Sequence, residues 1–183
     1  MATLALLVRA ICAVNGVLGR IFSCFSLGIV LVCFTVVAMR YVFRIGSVPL
    51  QDAYVWLNGM MFMGTAGYAL MRNVHVRVDI FYRDAPLRRK ALIDVLGTLF
   101  FLTPFLAVLV IWGFPYVERS WAFGESSPNV GGLPGLFVLK SFLLVFVAVV
   151  GLQGLAMVLR GILVLSRRQA LLPPSLRYAD PGD

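Results

Sequence analysis

Apolar residues in this chain fall into long windows, each closed at both ends by a charged side chain. Arg20 and Arg40 bracket Ile21 to Met39, Asp52 and Arg72 bracket Ala53 to Met71, Asp94 and Glu118 bracket Val95 to Val117, and Lys140 and Arg160 bracket Ser141 to Leu159. A helix needs roughly 20 apolar residues to cross a bilayer core, and each window supplies about that length. The pattern therefore predicts four spans, at about 21–39, 53–71, 95–117 and 141–159. Before them lies a leader over 1–20, and after them a basic tail over 161–183. Leu4 to Leu18 is largely apolar, is interrupted by Arg9 and has no basic segment ahead of it, unlike a signal peptide. It reads equally well as a short helix lying in the membrane interface or as the start of a long first span.

Local residues refine these elements. Pro104 falls inside the third span and should bend it, and Pro115 should end it. Asp84, followed by Pro86, reads as the cap of the third helix. Tyr41, Tyr54, Trp56, Trp112 and Trp121 lie near the outer ends of spans, where amphipathic rings anchor depth. Gly59, Gly64, Thr65, Ala66, Gly67 and Ala69 give the second span a face of small residues that permits close helix approach.

Composition agrees with the windows: 61% of the 183 residues are hydrophobic, only 13% are charged, and mean hydropathy is +0.93. Too few polar side chains are present to cover a soluble domain, and the high apolar content excludes disorder. The fold class is an all-α integral membrane protein. Cys12, Cys24 and Cys33 all lie in or just before the first span, so no disulfide framework exists. The net charge of +8 has a strongly uneven distribution. Four spans put the N-terminus, the middle loop and the C-terminus on one side with twelve basic residues, against Arg40, Arg44, Arg119 and Lys140 on the other. Basic residues favour the cytoplasmic side, so both termini are expected there. Charges spread over three short segments suit anionic lipid rather than nucleic acid; Arg88, Arg89 and Lys90, on the first turns of the third helix, are the headgroup candidates.

Catalytic and cofactor chemistry is sparse. The four windows hold no ionisable residue, although such residues usually mark ion and proton paths in membranes. No nucleophile triad, Cys/His cluster or phosphate loop is present, so the chain is not expected to be an enzyme. The rival reading is a small haem- or quinone-associated anchor of a redox complex. His75 is the single histidine, so a second axial ligand would have to come from Met60, Met61, Met63 or Met71, which also serve as ordinary helix contacts.

Three stretches are more specific. Arg40-Tyr41-Val42-Phe43 precedes Gln51-Asp52; Gly64 to Ala69 runs into Met71-Arg72-Asn73-Val74-His75-Val76-Arg77-Val78-Asp79; and Gly131-Gly132-Leu133-Pro134 precedes Lys140, with Gln153 further on. Over roughly Arg20 to Arg160 the chain resembles the small membrane (Q) subunit of tripartite ATP-independent periplasmic (TRAP) transporters. Asp52 stands where that family commonly has Glu. The resemblance implies a stationary scaffold in a secondary, sodium-coupled uptake system for an organic acid. Its partners would be a large membrane transport subunit, which would hold the sodium, and a periplasmic substrate-binding protein. No cofactor is expected in this chain.

Candidate contacts with the large subunit are Asp52, Arg72, His75, Arg77, Asp79 and Gln153; Arg40, Arg44 and Lys140 face the periplasmic side. Asp52 would begin the second helix, with Arg40 or Arg44 to pair with it or a periplasmic partner to meet. If that helix continues past Met71, Arg72, His75 and Asp79 form one stripe; if it stops, His75, Arg77 and Asp79 alternate with valines and Ile80 as in an extended segment. Lys140 can snorkel to headgroups. Gln153, in mid-span, needs a hydrogen-bond partner either on another subunit or within the chain.

Overall fold

A computed structural model of the chain describes residues 1–73 and 85–178. Four long helices dominate it, and no strand occurs among the described residues. Helix α1 runs from Ala2 to Phe43, α2 from Val48 to Met71, α3 from Leu87 to Ala122 and α4 from Leu136 to Leu165. Two short 3₁₀ turns follow, Gln169–Leu171 and Pro174–Leu176.

Helices α1, α3 and α4 are long and apolar enough to cross a membrane. At 1.5 Å per residue α2 is about 36 Å long, which also suffices, but Gln51, Asp52, Asn58 and its glycines dilute its apolar character. Those small residues have a packing use. Helix α2 makes its most extensive contacts with α4 on one side and α1 on the other, and the Phe22 ring of α1 lies against Gly64. The small-residue face is thus a packing face, as expected.

Leu4 to Leu18 is not set apart. It belongs to the 42-residue α1, about 63 Å long, interrupted only by a turn at Cys24. Its buried residues Ala5, Val8, Ile11, Cys12, Asn15 and Gly19 recur at helical spacing, and this stripe packs against α2 and α4. Leu172 joins the same core with 1% exposure, so the chain beyond Ser166 folds back over the bundle.

The two prolines of α3 sit in different surroundings. Ahead of Pro104 the chain forms a π turn over Thr98–Leu102 before Thr103–Ala122 resumes as α-helix. In this wider turn Thr98 O accepts both the Thr103 N–H and, at 2.9 Å, the Thr103 hydroxyl, one residue before the proline that has no N–H to give. Pro115, by contrast, does not end the helix, which continues to Ala122. Proline deletes one donor, whereas every residue after it keeps its own N–H and can bond back to the preceding turn. Pro86 precedes α3 in extended conformation as its N-cap residue; Asp84 lies outside the described residues.

Candidate functional site

Buried polar groups gather at three levels along the bundle. At the end where α3 and α4 are joined, the loop of residues 123–135 is tied to both neighbouring helices. Asp52, 5% exposed, sits one turn inside α2 rather than at its start, where Ser47 is the N-cap residue. Its carboxylate accepts Asn129 Nδ2 at 2.7 Å and Leu133 N at 3.0 Å. The Ser127 hydroxyl donates to the same group and holds it below the usual carboxylate range, with Asn129 and Leu133 adding to the effect against the opposing cost of burial. Arg40 and Arg44 are exposed, and neither supplies the ion pair expected for Asp52. The glycine pair explains the contact: Gly131 takes φ +76°, and a Cβ on Gly132 would collide with Asp52 Oδ2 and lie 2.6 Å from Ser127 Oγ. Only a bare backbone lets the loop close over the carboxylate.

The same loop holds a second acid. Lys140 Nζ binds Glu125 Oε2 and lies 4.2 Å above the Tyr116 ring, while Ser120 Oγ donates to Glu125 Oε2 at 2.6 Å. Lys140 first, then Ser120, hold the Glu125 carboxyl below its ordinary range. Lys140 therefore points to an internal partner instead of simply snorkelling. Trp121 Nε1 donates to Ser141 Oγ at 2.8 Å.

Both acids have folded pKa values below the unfolded ones, about 3.9 for Asp and 4.3 for Glu. Their contribution to stability is present above those values and is lost as pH falls through the depressed folded values. The loop should therefore loosen only below about pH 4. Hydrogen exchange over residues 123–135 should be slow at neutral pH and accelerate in that acidic window, and Asp52→Ala should give fast exchange already at neutral pH. Equal protection in mutant and wild type would show that Asp52 does not hold the loop.

At mid-depth Asn15 Nδ2 donates to Gln153 Oε1 at 3.0 Å and to Val149 O at 3.2 Å. Gln153 thus takes the internal partner of its two expected alternatives. Gly67 of α2 lets three helices meet at this point, since a Cβ there would lie 2.6 Å from Val149 O and 2.8 Å from Asn15 Oδ1. Asn15 itself was not singled out from sequence. A lone asparagine in an apolar leader has no local signal, and its partner is 138 positions away.

The third level lies near the other end of the bundle. Asp94 Oδ2 accepts the Tyr178 hydroxyl at 2.7 Å and faces Arg160 Nη2 at 3.4 Å. The guanidinium of Arg160 also lies 4.2 Å above the Tyr178 ring. The hydroxyl contact is the stronger hydrogen bond by distance, and the arginine contributes mainly charge. The windows read as charge-free are thus flanked by two charges that the fold buries, with side chains only 6% and 13% exposed for Asp94 and Arg160. They escaped notice because they served as window boundaries, and boundary charges ordinarily face headgroups. Lys90 is likewise buried, at 7% exposure, against its expected place at lipid phosphates, whereas Arg88 and Arg89 are exposed.

Helix α2 stops at Met71, with Arg72 and the left-handed Asn73 turning the chain away. His75, Arg77 and Asp79, on which the stripe and extended alternatives turn, lie outside the described residues. Arg72 Nε donates to Tyr68 Oη at 3.2 Å.

The arrangement is one of internal ties, and no group of three or more His, Cys, Asp or Glu able to hold a metal occurs among the described residues. A family model described as tripartite ATP-independent periplasmic transporters, DctQ component, matches residues 29–164. The chain belongs to this family. The match covers the four-helix region from the middle of α1 almost to the end of α4, and the family is one of transporter components rather than of enzymes. It gives no support to the redox-anchor alternative. No curated protein and no solved structure matches the chain. Among the residues that carried the resemblance, Asp52 and the Gly131-Gly132-Leu133 stretch bind each other in this DctQ component.

Proposed function

We propose that this DctQ component is the stationary scaffold subunit of a sodium-coupled secondary transporter for an organic acid. A periplasmic binding protein would deliver the substrate, and a large membrane subunit would carry substrate and sodium. The observation that carries this reading is the internal use of buried polar groups. Asp94 faces Arg160, Asp52 is held by its loop and Asn15 by Gln153. Groups committed in this way fix helices against one another and are poorly placed to release and rebind a travelling ion. The exposed apolar faces suit a fixed wall beside a moving partner, with Leu27, Leu31 and Phe34 on α1 and Phe101, Phe105 and Trp112 on α3.

In this reading all four long helices cross the inner membrane, α2 being shielded by α1 and α4, and both termini are cytoplasmic on the bias in basic residues. The segment after α2, with His75, Arg77 and Asp79, would dock on the large subunit, and Arg88 and Arg89 would meet anionic lipid. No cofactor, nucleic acid or catalysis of its own is assigned to the chain.

Deleting the subunit should abolish uptake, whereas Asn58→Ala, Thr65→Ala and Thr103→Val should leave the apparent affinity for substrate within about twofold, the range of an uninvolved substitution. A large affinity shift from any of these would place a ligand site in this chain and defeat the scaffold reading. Cysteines introduced at Gly124 and Arg168 should be labelled from opposite sides of the membrane.

A further inference from the structure

Close to the Asp94–Arg160 pair a partly open cavity of about 180 Å³ lies between the bundle and the tail. Its lining includes three arginines, Arg72, Arg160 and Arg177, together with Asn73, Gln153 and Ser175. No acidic side chain is among the described lining residues. A single water needs only about 10–15 Å³ of such space, so the volume admits a small hydrated anion.

Each arginine is already anchored on one edge. Arg72 Nε is bonded to Tyr68 Oη; Arg177 Nε and Nη2 donate to Leu172 O and Ala170 O at 2.8 and 3.1 Å; Arg160 is held by Asp94 and the Tyr178 ring. A guanidinium carries five N–H donors, so these anchors set the position of the group and leave donors over. Arg160 Nε in particular is buried with no hydrogen-bond partner among the described residues. Three fixed cations around one polar space, with donors to spare, match a tetrahedral oxyanion, because several oxygens can each take a charge-assisted bond.

We propose that this cavity binds a phosphate group, supplied by the headgroup of an anionic phospholipid. Its place favours the lipid source. It opens where Met71 ends α2 and the tail crosses the bundle, and Val8, Met157 and Leu176 add apolar lining beside the charges. This rests on the membrane embedding proposed above, though binding in detergent does not depend on which side the cavity faces.

The test uses the full chain purified in detergent, titrated separately with dioctanoyl phosphatidylglycerol and with inorganic phosphate. Binding is read calorimetrically and by the shift in thermal unfolding. Saturable binding of the lipid is expected. The double variant Arg72→Gln/Arg177→Gln should weaken it about tenfold or more, as expected for lost charge-assisted hydrogen bonds. The pair Arg88→Gln/Arg89→Gln, which lies outside the cavity lining, should change it by less than about twofold. Arg72→Lys/Arg177→Lys, which keeps charge and fold, should fall between the two, and helix content by circular dichroism shows whether each variant is folded. Saturation by inorganic phosphate alone, with the same dependence on the cavity arginines, would keep the phosphate site and overturn the lipid as its source. No saturable binding of either probe, or equal losses from the cavity and control pairs, would overturn the proposal.

Discussion

Asp94→Ala is expected to destabilise the subunit by about 3–5 kcal/mol, the cost of leaving a buried charge without its partner. Removing the carboxylate strands Arg160 at 13% side-chain exposure and takes away the acceptor of the Tyr178 hydroxyl. The tail would lose its strongest tie to α3, leaving residues 166–178 to be held by the packing of Leu172 on Ala5 and Val8, the Arg9 bond to Leu171 O and the Arg160 contact with the Tyr178 ring. The measurement is the unfolding midpoint in detergent together with protease sensitivity of the tail. Asp94→Asn should cost less, since it keeps an oxygen for Tyr178. Replacing both charges, as Asp94→Leu/Arg160→Met, should recover much of the loss, because a buried ion pair can be exchanged for apolar side chains at little net cost. A double variant no better than Asp94→Ala would mean that the pair contributes specific geometry rather than mutual neutralisation.

Gly67→Ala is expected to have the second large effect, about 1–3 kcal/mol by overpacking. The new Cβ would meet the backbone carbonyl of Val149 at 2.6 Å, and backbone cannot rotate aside as a side chain can. Helix α2 would have to move away from α4, and the Asn15 bonds to Val149 and Gln153 would lengthen with it. Gly97→Ala is the matched control, since nothing lies within 4 Å of its Cβ position; alanine there should be neutral or stabilising by up to about 1 kcal/mol. Unfolding midpoints of the two variants should therefore move in opposite directions or differ widely. Similar shifts would show that α2 and α4 are not in rigid contact at Gly67.

What the sequence determined by itself is what composition and periodicity encode locally. Unbroken apolar windows require helices in lipid, because no other element there satisfies its own backbone. The run of small residues from Gly59 to Ala69 marks a face for close packing whatever the neighbour proves to be. The Gly131-Gly132-Leu133-Pro134 motif was legible as special backbone, since two adjacent glycines before a proline forbid a regular element. Only the tertiary structure decided which charge meets which. Asp52 could be seen as an acid near a helix start, but its partners Asn129 and Leu133 are 77 and 81 positions away. The Asp94–Arg160 pair spans 66 positions and its tyrosine 84. Hydropathy treats a charge as the end of a window, whereas packing can draw that same charge inward once an opposite one arrives from another helix. The leader followed the same logic. Its apolar residues are equally at home in an interface or a bundle, and the choice fell to the bundle because Asn15, Gly67 and Val149 fit together, a match no single segment contains.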